Sequence, residues 1–177
     1  MEIKAKCRFD QETITALAHV SVYKKSKPQK RMIVEIIIAV LIILLSLAEI
    51  FVFEVYSIPL IIIMSAVLLI CWVCFLYFCL PKKQYKAMAK MREAENEYVF
   101  YDNEVEVFTS SAEYNGSAKI EYSLFVKVYE TSSYFFLYQT KNQVFVVDKS
   151  TIDDSNIKDI RTALAGAING KYITCKY

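Results

Sequence analysis

Two long stretches with almost no charge constrain this chain more than any other feature. Residues 33–53 carry only Glu35 and Glu49 as charged side chains, and residues 58–80 carry none. A bilayer core about 30 Å thick needs roughly 20 helical residues, and backbone groups in lipid must be satisfied within the segment itself. Both stretches are therefore predicted to be transmembrane helices. They also account for a hydrophobic content of 55%, which is high for a soluble domain.

Basic residues flank this pair of stretches only at its two outer ends. The residues before the first stretch are Lys24, Lys25, Lys27, Lys30 and Arg31, and those after the second are Lys82, Lys83, Lys86, Lys90 and Arg92. The short loop between the stretches has no basic residue, so the positive-inside rule predicts that both termini are cytoplasmic. The chain is then a multi-pass protein of the cytoplasmic membrane. Anionic lipid headgroups attract such residues, and the candidate headgroup-binding residues are Lys24, Lys25, Lys27, Lys82, Lys83 and Lys86.

One face of the first stretch combines small and acidic side chains. Glu35 and Glu49 are 14 residues apart, so at about 100° per residue their directions around the helix differ by only about 40°. The residues that share this stripe are Ala39, Ile42 and Ser46. Small residues allow close helix packing in lipid, and carboxylates rarely face acyl chains. Two interpretations stay open: the stripe packs on the second stretch, or it contacts another membrane protein.

The first 31 residues form a basic cytoplasmic segment with 8 basic and 3 acidic side chains. Apolar and basic residues alternate from Ile3 to Phe9, which predicts a short strand. We hypothesise that this strand joins the sheet of the C-terminal domain. Asp10 is suited to cap a following helix, and Pro28 is predicted to end or bend that helix.

The rest of the chain divides into residues 32–97 and residues 98–177. The first part is predicted to be the transmembrane hairpin, continued as a juxtamembrane helix to about Asn96. In the second, short aromatic and β-branched runs alternate with turn residues, as in a set of short strands. The predicted turns are Asp102-Asn103, Asn115-Gly116 and Lys141-Asn142, and the pattern Thr151-x-x-Asp154 before an amphipathic run that stops at Gly170 predicts a C-terminal helix.

These elements predict an α+β membrane protein. A two-helix transmembrane hairpin would carry a small cytoplasmic domain of five or six antiparallel strands. The sheet would curl around a core closed by the C-terminal helix, as in pleckstrin-homology-like (PH-like) barrels.

Several segments in order resemble the YcxB-like family of bacterial membrane proteins. They are the two apolar stretches, Tyr98-Val-Phe-Tyr-Asp-Asn-Glu-Val-Glu-Val, Ile120-Glu-Tyr-Ser-Leu-Phe-Val-Lys-Val-Tyr-Glu-Thr, Tyr134-Phe-Phe-Leu-Tyr, Asn142-Gln-Val-Phe-Val-Val and Lys149. The resemblance runs over roughly residues 98–164. Where the family often has Pro before the Lys, this chain has Asp148. The resemblance implies a PH-like cytoplasmic domain on a two-helix anchor in a bacterial membrane, and it implies no activity and no catalytic residue.

The sequence offers little material for catalysis. His19 is the only histidine, and the three glycines are too isolated to form a phosphate-binding loop. Cys71-x-x-Cys74 lies in an apolar stretch without flanking ligands, so we interpret these cysteines as packing residues. We expect neither an enzyme nor a bound cofactor or metal. From Tyr98 onward the chain has 10 acidic and 8 basic residues, which argues against a nucleic-acid partner.

Two functions remain. The first is a non-catalytic interaction or regulatory protein that binds another membrane protein, or a second copy of itself, for example as an immunity protein or an accessory subunit. The alternative is an inner-leaflet lipid or small-ligand sensor acting through the PH-like domain. The residues that would form its basic pocket are Lys119, Lys127, Lys141 and Lys149.

Overall fold

The computed structural model describes residues 2–23, 27–53, 56–88, 94–111, 115–168 and 170–175. The architecture is α+β, with two long apolar helices and two four-stranded sheets. The elements in order are β1 (Ile3–Arg8), α1 (Gln11–Tyr23), α2 (Pro28–Phe53), α3 (Ser57–Cys74), a π-helical turn (Phe75–Cys79), α4 (Leu80–Ala87), β2 (Glu95–Phe100), β3 (Glu104–Ser110), β4 (Asn115–Glu121), a 3₁₀ turn (Tyr122–Leu124), β5 (Lys127–Glu130), β6 (Tyr134–Tyr138), β7 (Val144–Asp148), a second 3₁₀ turn (Lys149–Thr151), α5 (Asp154–Ala167) and β8 (Tyr172–Thr174).

The strands form two sheets that share one core. The first has the order β1-β2-β3-β4 and is antiparallel throughout, and the second has the order β7-β6-β5-β8. The backbone N–H of Lys6 in β1 donates to Oγ1 of Thr151 just after β7, at 3.0 Å, so the sheets meet at that edge. Their inner faces bury a core rich in aromatic side chains, among them Tyr98, Phe100 and Phe136.

The N-terminal strand belongs to the same sheet as the strands that follow the long helices. β1 pairs with β2 from Ile3 opposite Phe100 to Arg8 opposite Glu95. Its odd-numbered residues are buried and its even-numbered residues are exposed, as the alternation in the sequence predicts. The hypothesis that this strand joins the C-terminal sheet is confirmed. The chain therefore leaves the domain after α1, runs through the long helices, and re-enters at a strand that neighbours its own first strand.

Helix α1 is buried on more than one side. Ile14 and Val20 are fully buried, and Asp10 caps the helix because its Oδ1 accepts the backbone N–H of Thr13 at 2.7 Å. The predicted role of Pro28 is wrong. α1 already ends at Tyr23, and Pro28 instead begins α2, where the missing proline N–H costs nothing because first-turn N–H groups have no helical partner.

Helices α2 and α3 pack against each other as an antiparallel hairpin, called here the apolar hairpin together with α4. The less exposed residues recur at spacings of three and four, as in a coiled-coil seam. In α2 the residues that follow this spacing are Met32, Ile36, Ala39, Ile43, Ser46 and Ile50, and in the following helix they are Pro59, Ile63, Ala66, Ile70 and Val73. The prediction that this helix continues to Asn96 is wrong. α4 ends at Ala87, and Asn96 lies buried in β2.

Two further local predictions are wrong and two are confirmed. Asn115 and Gly116 do not form a turn but begin β4, opposite Ser110 and Thr109. Thr151 does not cap α5, since its hydroxyl bonds the backbone of Lys6 and Asp148. The Asp102-Asn103 hairpin is confirmed by the Tyr101 N–H to Glu104 carbonyl bond of 2.8 Å. Gly170 has a φ of 75° just after α5, as a helix stop requires.

The C-terminal end adds a strand that the sequence pattern does not predict. β8 pairs with β5 in parallel, with Val128 opposite Tyr172, so the second sheet is mixed and not wholly antiparallel. The backbone N–H of Cys175 donates to the Glu130 carbonyl at 2.6 Å and fixes the end of this pairing. After α5 the chain thus returns to the second sheet and adds an edge strand beside β5.

Candidate functional site

The structure divides the small and acidic stripe of α2 into two parts. Ala39 is 1% exposed and Ser46 is 4% exposed, because both lie in the seam against α3. Ile42 is 39% exposed and Glu49 is also exposed, since both point away from that seam. Glu35 lies between the seam and this exposed side of α2. The five residues therefore do not share one surface: Ala39 and Ser46 are covered, Glu35 is partly exposed, and Ile42 and Glu49 are exposed.

Glu35 has a partner within its own helix. Nε of Arg31 donates to Oε1 of Glu35 at 2.9 Å, one helical turn apart. Among the ion pairs of the described residues, Glu49 takes part in none. The two acidic residues of the stripe thus have different surroundings. Glu35 is paired with Arg31 near the basic end of α2, whereas Glu49, near the other end, is in none of these ion pairs.

The predicted headgroup lysines lie where the sequence places them, as far as the structure describes them. Lys24 and Lys25 lie outside the described residues. The others, Lys27, Lys82, Lys83 and Lys86, are all exposed. They flank the end of the apolar hairpin that joins the β domain, because Lys27 directly precedes α2 and the last three lie in α4.

Helix α1 connects the β domain to the apolar hairpin through aromatic rings. His19 stacks on Tyr77 of the π-helical turn with ring centroids 4.7 Å apart, and its Nε2 lies 3.4 Å from the Tyr77 carbonyl oxygen. Tyr23, which is 3% exposed, meets the same ring edge-on at 6.4 Å. Burial lowers the pKa of His19 below its ordinary value, so the imidazole is neutral at pH 7.

A groove of about 440 Å³ opens beside the C-terminal half of α1. Its walls come from α1, from the neighbouring strands β5 and β6, and from the turn that follows β6. The lining residues are Val20, Ser21, Val126, Lys127, Tyr129, Tyr138, Thr140 and Lys141. Nζ of Lys127 lies 4.9 Å from the centre of the Tyr129 ring, a cation–π distance. Burial raises the pKa of Tyr138 to about 12, so its hydroxyl stays a hydrogen-bond donor.

The four lysines proposed for a basic pocket are not brought together. Lys127 and Lys141 both line the groove, whereas Lys119 lies on β4, 3.8 Å from Glu104 and 3.9 Å from Glu106. Lys149 is buried and serves a different purpose. Its Nζ donates to Oε1 of Glu130 and to the Thr131 carbonyl oxygen, each at 2.6 Å. The prediction that Lys149 belongs to an exposed basic pocket is therefore wrong, because its ammonium group is bonded inside the domain.

Glu130 lies at the centre of a buried polar cluster that sequence reasoning missed. Besides Lys149, its carboxylate accepts hydrogen bonds from Nε and a terminal nitrogen of Arg161 in α5 and from the Tyr172 hydroxyl in β8. Burial disfavours the ionised carboxylate, but these bonds outweigh it and lower the pKa of Glu130 to about 2. The one available signal was an acidic residue at the end of β5, directly after Val128 and Tyr129. The cluster ties β5, α5 and β8 together.

His19 lines a cleft together with two serine side chains. A cleft of about 520 Å³ places His19 near Ser132 and Ser133, whose hydroxyls are 3.5 Å apart. The Nε2 atom of His19 instead contacts the Tyr77 carbonyl. Within the described ranges there is no group of three or more His, Cys, Asp or Glu residues that would hold a metal ion.

One part of the β domain matches a known protein family. Residues 108–164 match the model of the YcxB-like protein family. The matched YcxB-like segment runs from the end of β3 into α5, and it confirms the resemblance over these residues. The preceding Tyr98–Val107 part of the resemblance lies outside the match. No curated protein and no solved structure shows significant similarity to the chain.

Two residues of the YcxB-like resemblance turn out to be partners. Glu130 is the next-to-last residue of the quoted run from Ile120, and Lys149 comes shortly after the run from Asn142; the two form the buried ion pair. Asp148 stands where the family often has Pro, and it stabilises the same turn with a side-chain hydrogen bond. Its Oδ1 accepts the backbone N–H of Ser150 at 2.8 Å and so caps the 3₁₀ turn that carries Lys149.

Proposed function

We propose that this chain is a membrane-anchored, non-catalytic interaction or regulatory protein that binds another membrane protein through the exposed side of α2. The observation that carries the proposal is the position of Glu49. It lies within an apolar helix, points away from the seam with α3, and is unpaired among the described ion pairs. A carboxylate in such a place is costly unless a partner or water solvates it.

The proposal requires both long helices to cross the membrane. By length and composition α2 and the helix from Ser57 to Ala87 are able to do so, and only 11% and 17% of their apolar windows are buried in the protein. A core helix of a soluble domain would be mostly covered. We place the protein in a bacterial cytoplasmic membrane with both termini cytoplasmic, because the basic flanks lie at the end of the hairpin nearest the β domain. The pairing of β1 with β2 supports this, since both soluble parts must lie on one side.

We interpret the β domain as PH-like. Two four-stranded sheets that meet at the β1–β7 edge, followed in the chain by α5, support this interpretation. In this account the domain is a platform that sits under the membrane and the hairpin supplies the contact. An immunity protein that neutralises a membrane-active toxin and an accessory subunit of a transporter would both use such an arrangement.

Ile42 and Glu49 define the expected contact surface. They lie seven residues apart on α2 and hence on nearly the same helical face. The seam residues Ala39 and Ser46 are already used by α3, so a partner helix approaches the free side. A hydrogen bond from a partner donor to Glu49 would satisfy its carboxylate. Charged hydrogen bonds of this kind contribute about 1.5–3 kcal/mol, which corresponds to at least about a tenfold effect on affinity.

The test is co-purification of the full chain from its native membrane in a gentle detergent. Glu49→Gln keeps the size of the side chain, removes its charge, and should reduce recovery of the partner at least about tenfold. Glu35→Gln is the matched control and should leave recovery unchanged, because Glu35 already has Arg31. A second tagged copy of the chain in the eluate would identify a homo-oligomer as the complex. Equal recovery with both variants would reject the proposed surface.

A further inference from the structure

The groove beside α1 lies at the level where the β domain meets the apolar hairpin. Val20 and Ser21, which form one wall, lie on α1 between His19 and Tyr23. Both of these flanking residues contact Tyr77, close to the basic end of the apolar hairpin. One turn of helix spans about 5.4 Å. The mouth of the groove is therefore within a few ångströms, along α1, of the point where the domain touches the hairpin.

The chemistry of the groove is that of an anion site. Lys127 and Lys141 contribute two cations, and none of its lining residues is acidic. Ser21, Tyr138 and Thr140 add hydroxyl groups to the walls. Two side-chain hydrogen bonds hold the turn that carries Lys141, since Oγ1 of Thr140 accepts the backbone N–H groups of Asn142 and Gln143. Cations and hydroxyls on an ordered frame bind phosphate oxygens.

Apolar side chains are exposed next to these lysines. Outside the segment 27–88, the large apolar side chains of the described residues that are more than a third exposed are Phe108, Leu124 and Val126. Leu124 is 54% exposed and Val126 is 49% exposed, and both precede Lys127 within three residues. Apolar side chains beside cations are the combination found where proteins enter the interfacial region of a bilayer.

We propose that this groove binds the headgroup phosphate of an anionic phospholipid in the leaflet against which the β domain lies. Lys127 and Lys141 contact the phosphate, Tyr138 and Thr140 line the headgroup site, and Leu124 and Val126 enter the adjacent acyl region. A soluble phosphate compound would use the lysines but would gain nothing from the exposed apolar pair. The lipid is also already present at high local concentration, because the hairpin anchors the domain beside it.

The site rests on the membrane anchoring proposed above, but not on the partner contact of α2, and it would add a sensory property to the interaction protein. α1 forms one wall of the groove and also carries His19, which stacks on Tyr77 of the hairpin. Occupation of the groove by a headgroup would thus fix α1 against the sheet and the hairpin at once. The composition of the leaflet would set how firmly the domain is held against the membrane.

The experiment uses the full chain in nanodiscs of phosphatidylcholine alone or with added phosphatidylglycerol. Hydrogen–deuterium exchange is measured at residues 124–127 and 138–143. The proposal expects slower exchange in both segments when phosphatidylglycerol is present. In Lys127→Gln/Lys141→Gln this protection should disappear, and retention of the lipid in native mass spectrometry should fall about fivefold per lysine.

A matched variant and a soluble competitor make the result decisive. Lys119→Gln/Lys158→Gln removes the same charge from lysines outside the groove and should keep the protection. Protection lost equally in both double variants would overturn the site in favour of general surface charge. Protection produced in phosphatidylcholine nanodiscs by glycerol 3-phosphate to the same extent as by phosphatidylglycerol would overturn the lipid in favour of a soluble anion. Unchanged exchange in all lipids would overturn the proposal outright.

Discussion

The imidazole of His19 and the backbone carbonyl of Tyr77 meet across the boundary between the β domain and the apolar hairpin, with Nε2 3.4 Å from the oxygen. Pro81 explains why this carbonyl is available. In a regular helix the Tyr77 carbonyl would accept the N–H of residue 81, and proline has none. The π-helical turn Phe75–Cys79 lies at the same place, as expected where a helical hydrogen-bond pattern is interrupted. His19 thus contacts a carbonyl that lacks its regular α-helical donor, because residue 81 is proline.

Removing the His19 ring should loosen the domain from the hairpin. His19→Ala deletes both the stacking contact and the hydrogen bond, which together contribute about 1–2 kcal/mol. We expect faster hydrogen–deuterium exchange in α1 and α4, with the strands unaffected. Gln11→Ala, at the exposed start of the same helix, serves as the control. Equal exchange in α1 and α4 for the wild type and His19→Ala would show that this contact does not hold the two parts together.

Breaking the buried pair of Lys149 and Glu130 should be severe. Lys149→Met leaves the Glu130 carboxylate, which is 2% exposed, without one of its cations. Removing one partner of a buried ion pair costs about 3–5 kcal/mol. The measurement is the free energy of unfolding of the full chain in detergent by denaturant titration. Lys158→Met removes an exposed lysine from α5 and should change it by less than about 0.5 kcal/mol. A loss below about 1 kcal/mol for Lys149→Met would contradict the central position of the pair.

The same cluster predicts a specific acid sensitivity. The pKa of Glu130 is about 2 in the fold and 4.5 as its ordinary value. Its ionised form therefore stabilises the fold above about pH 4.5, and this contribution is lost as the pH falls from 4.5 towards 2. Other carboxylates also titrate in this range, so the comparison is with Glu130→Gln. The difference in unfolding free energy between wild type and Glu130→Gln should be constant above pH 5 and shrink steadily below it. A difference independent of pH would contradict the assignment.

The membership of β1 in the sheet predicts a long-range effect of the N-terminus. Ala5 is 2% exposed and pairs with Tyr98 across the sheet. Ala5→Glu would bury an unpaired carboxylate and should prevent stable folding of the β domain, although the substitution lies far from β2 in sequence. Lys4→Glu, at the neighbouring exposed position, should be tolerated. Protease resistance of the full chain in detergent separates the two outcomes, and equal resistance would mean that β1 does not hold the sheet.

Local sequence patterns were enough to predict several elements of the fold. The two long helices follow from residues 33–53 and 58–80, and the alternation of Ile3, Ala5 and Cys7 was enough to predict β1 and its inward face. The predictions that are wrong concern places where a local signal competes with tertiary pairing. Asn115-Gly116 is a strong turn sequence, but pairing with Ser110 and Thr109 extends the strand through it. β8 was not predicted because a three-residue strand has too short a pattern to be recognised.

The polar contacts were less predictable than the elements. Lys149 looks like a surface lysine, since nothing within several residues reveals that Glu130 and the Thr131 carbonyl lie under it. Periodicity assigns a residue to a face of its own element but does not identify the element that covers that face. The stripe on α2 shows the same limit. Helical spacing places the stripe residues near one another around α2, but it does not show on which side α3 packs. That packing covers Ala39 and Ser46 and leaves Ile42 and Glu49 exposed.

The central claim is that the free side of α2 is a contact surface for a membrane-protein partner, and photo-cross-linking in the native membrane tests it most directly. A photo-reactive amino acid is placed at Ile42, on the proposed surface, or at Leu44, which is 56% exposed and about 200° around the helix. The account predicts a discrete protein adduct from position 42, lost when Glu49→Gln is added, and lipid adducts alone from position 44. Protein adducts of equal strength from both positions, or none from position 42, would contradict it.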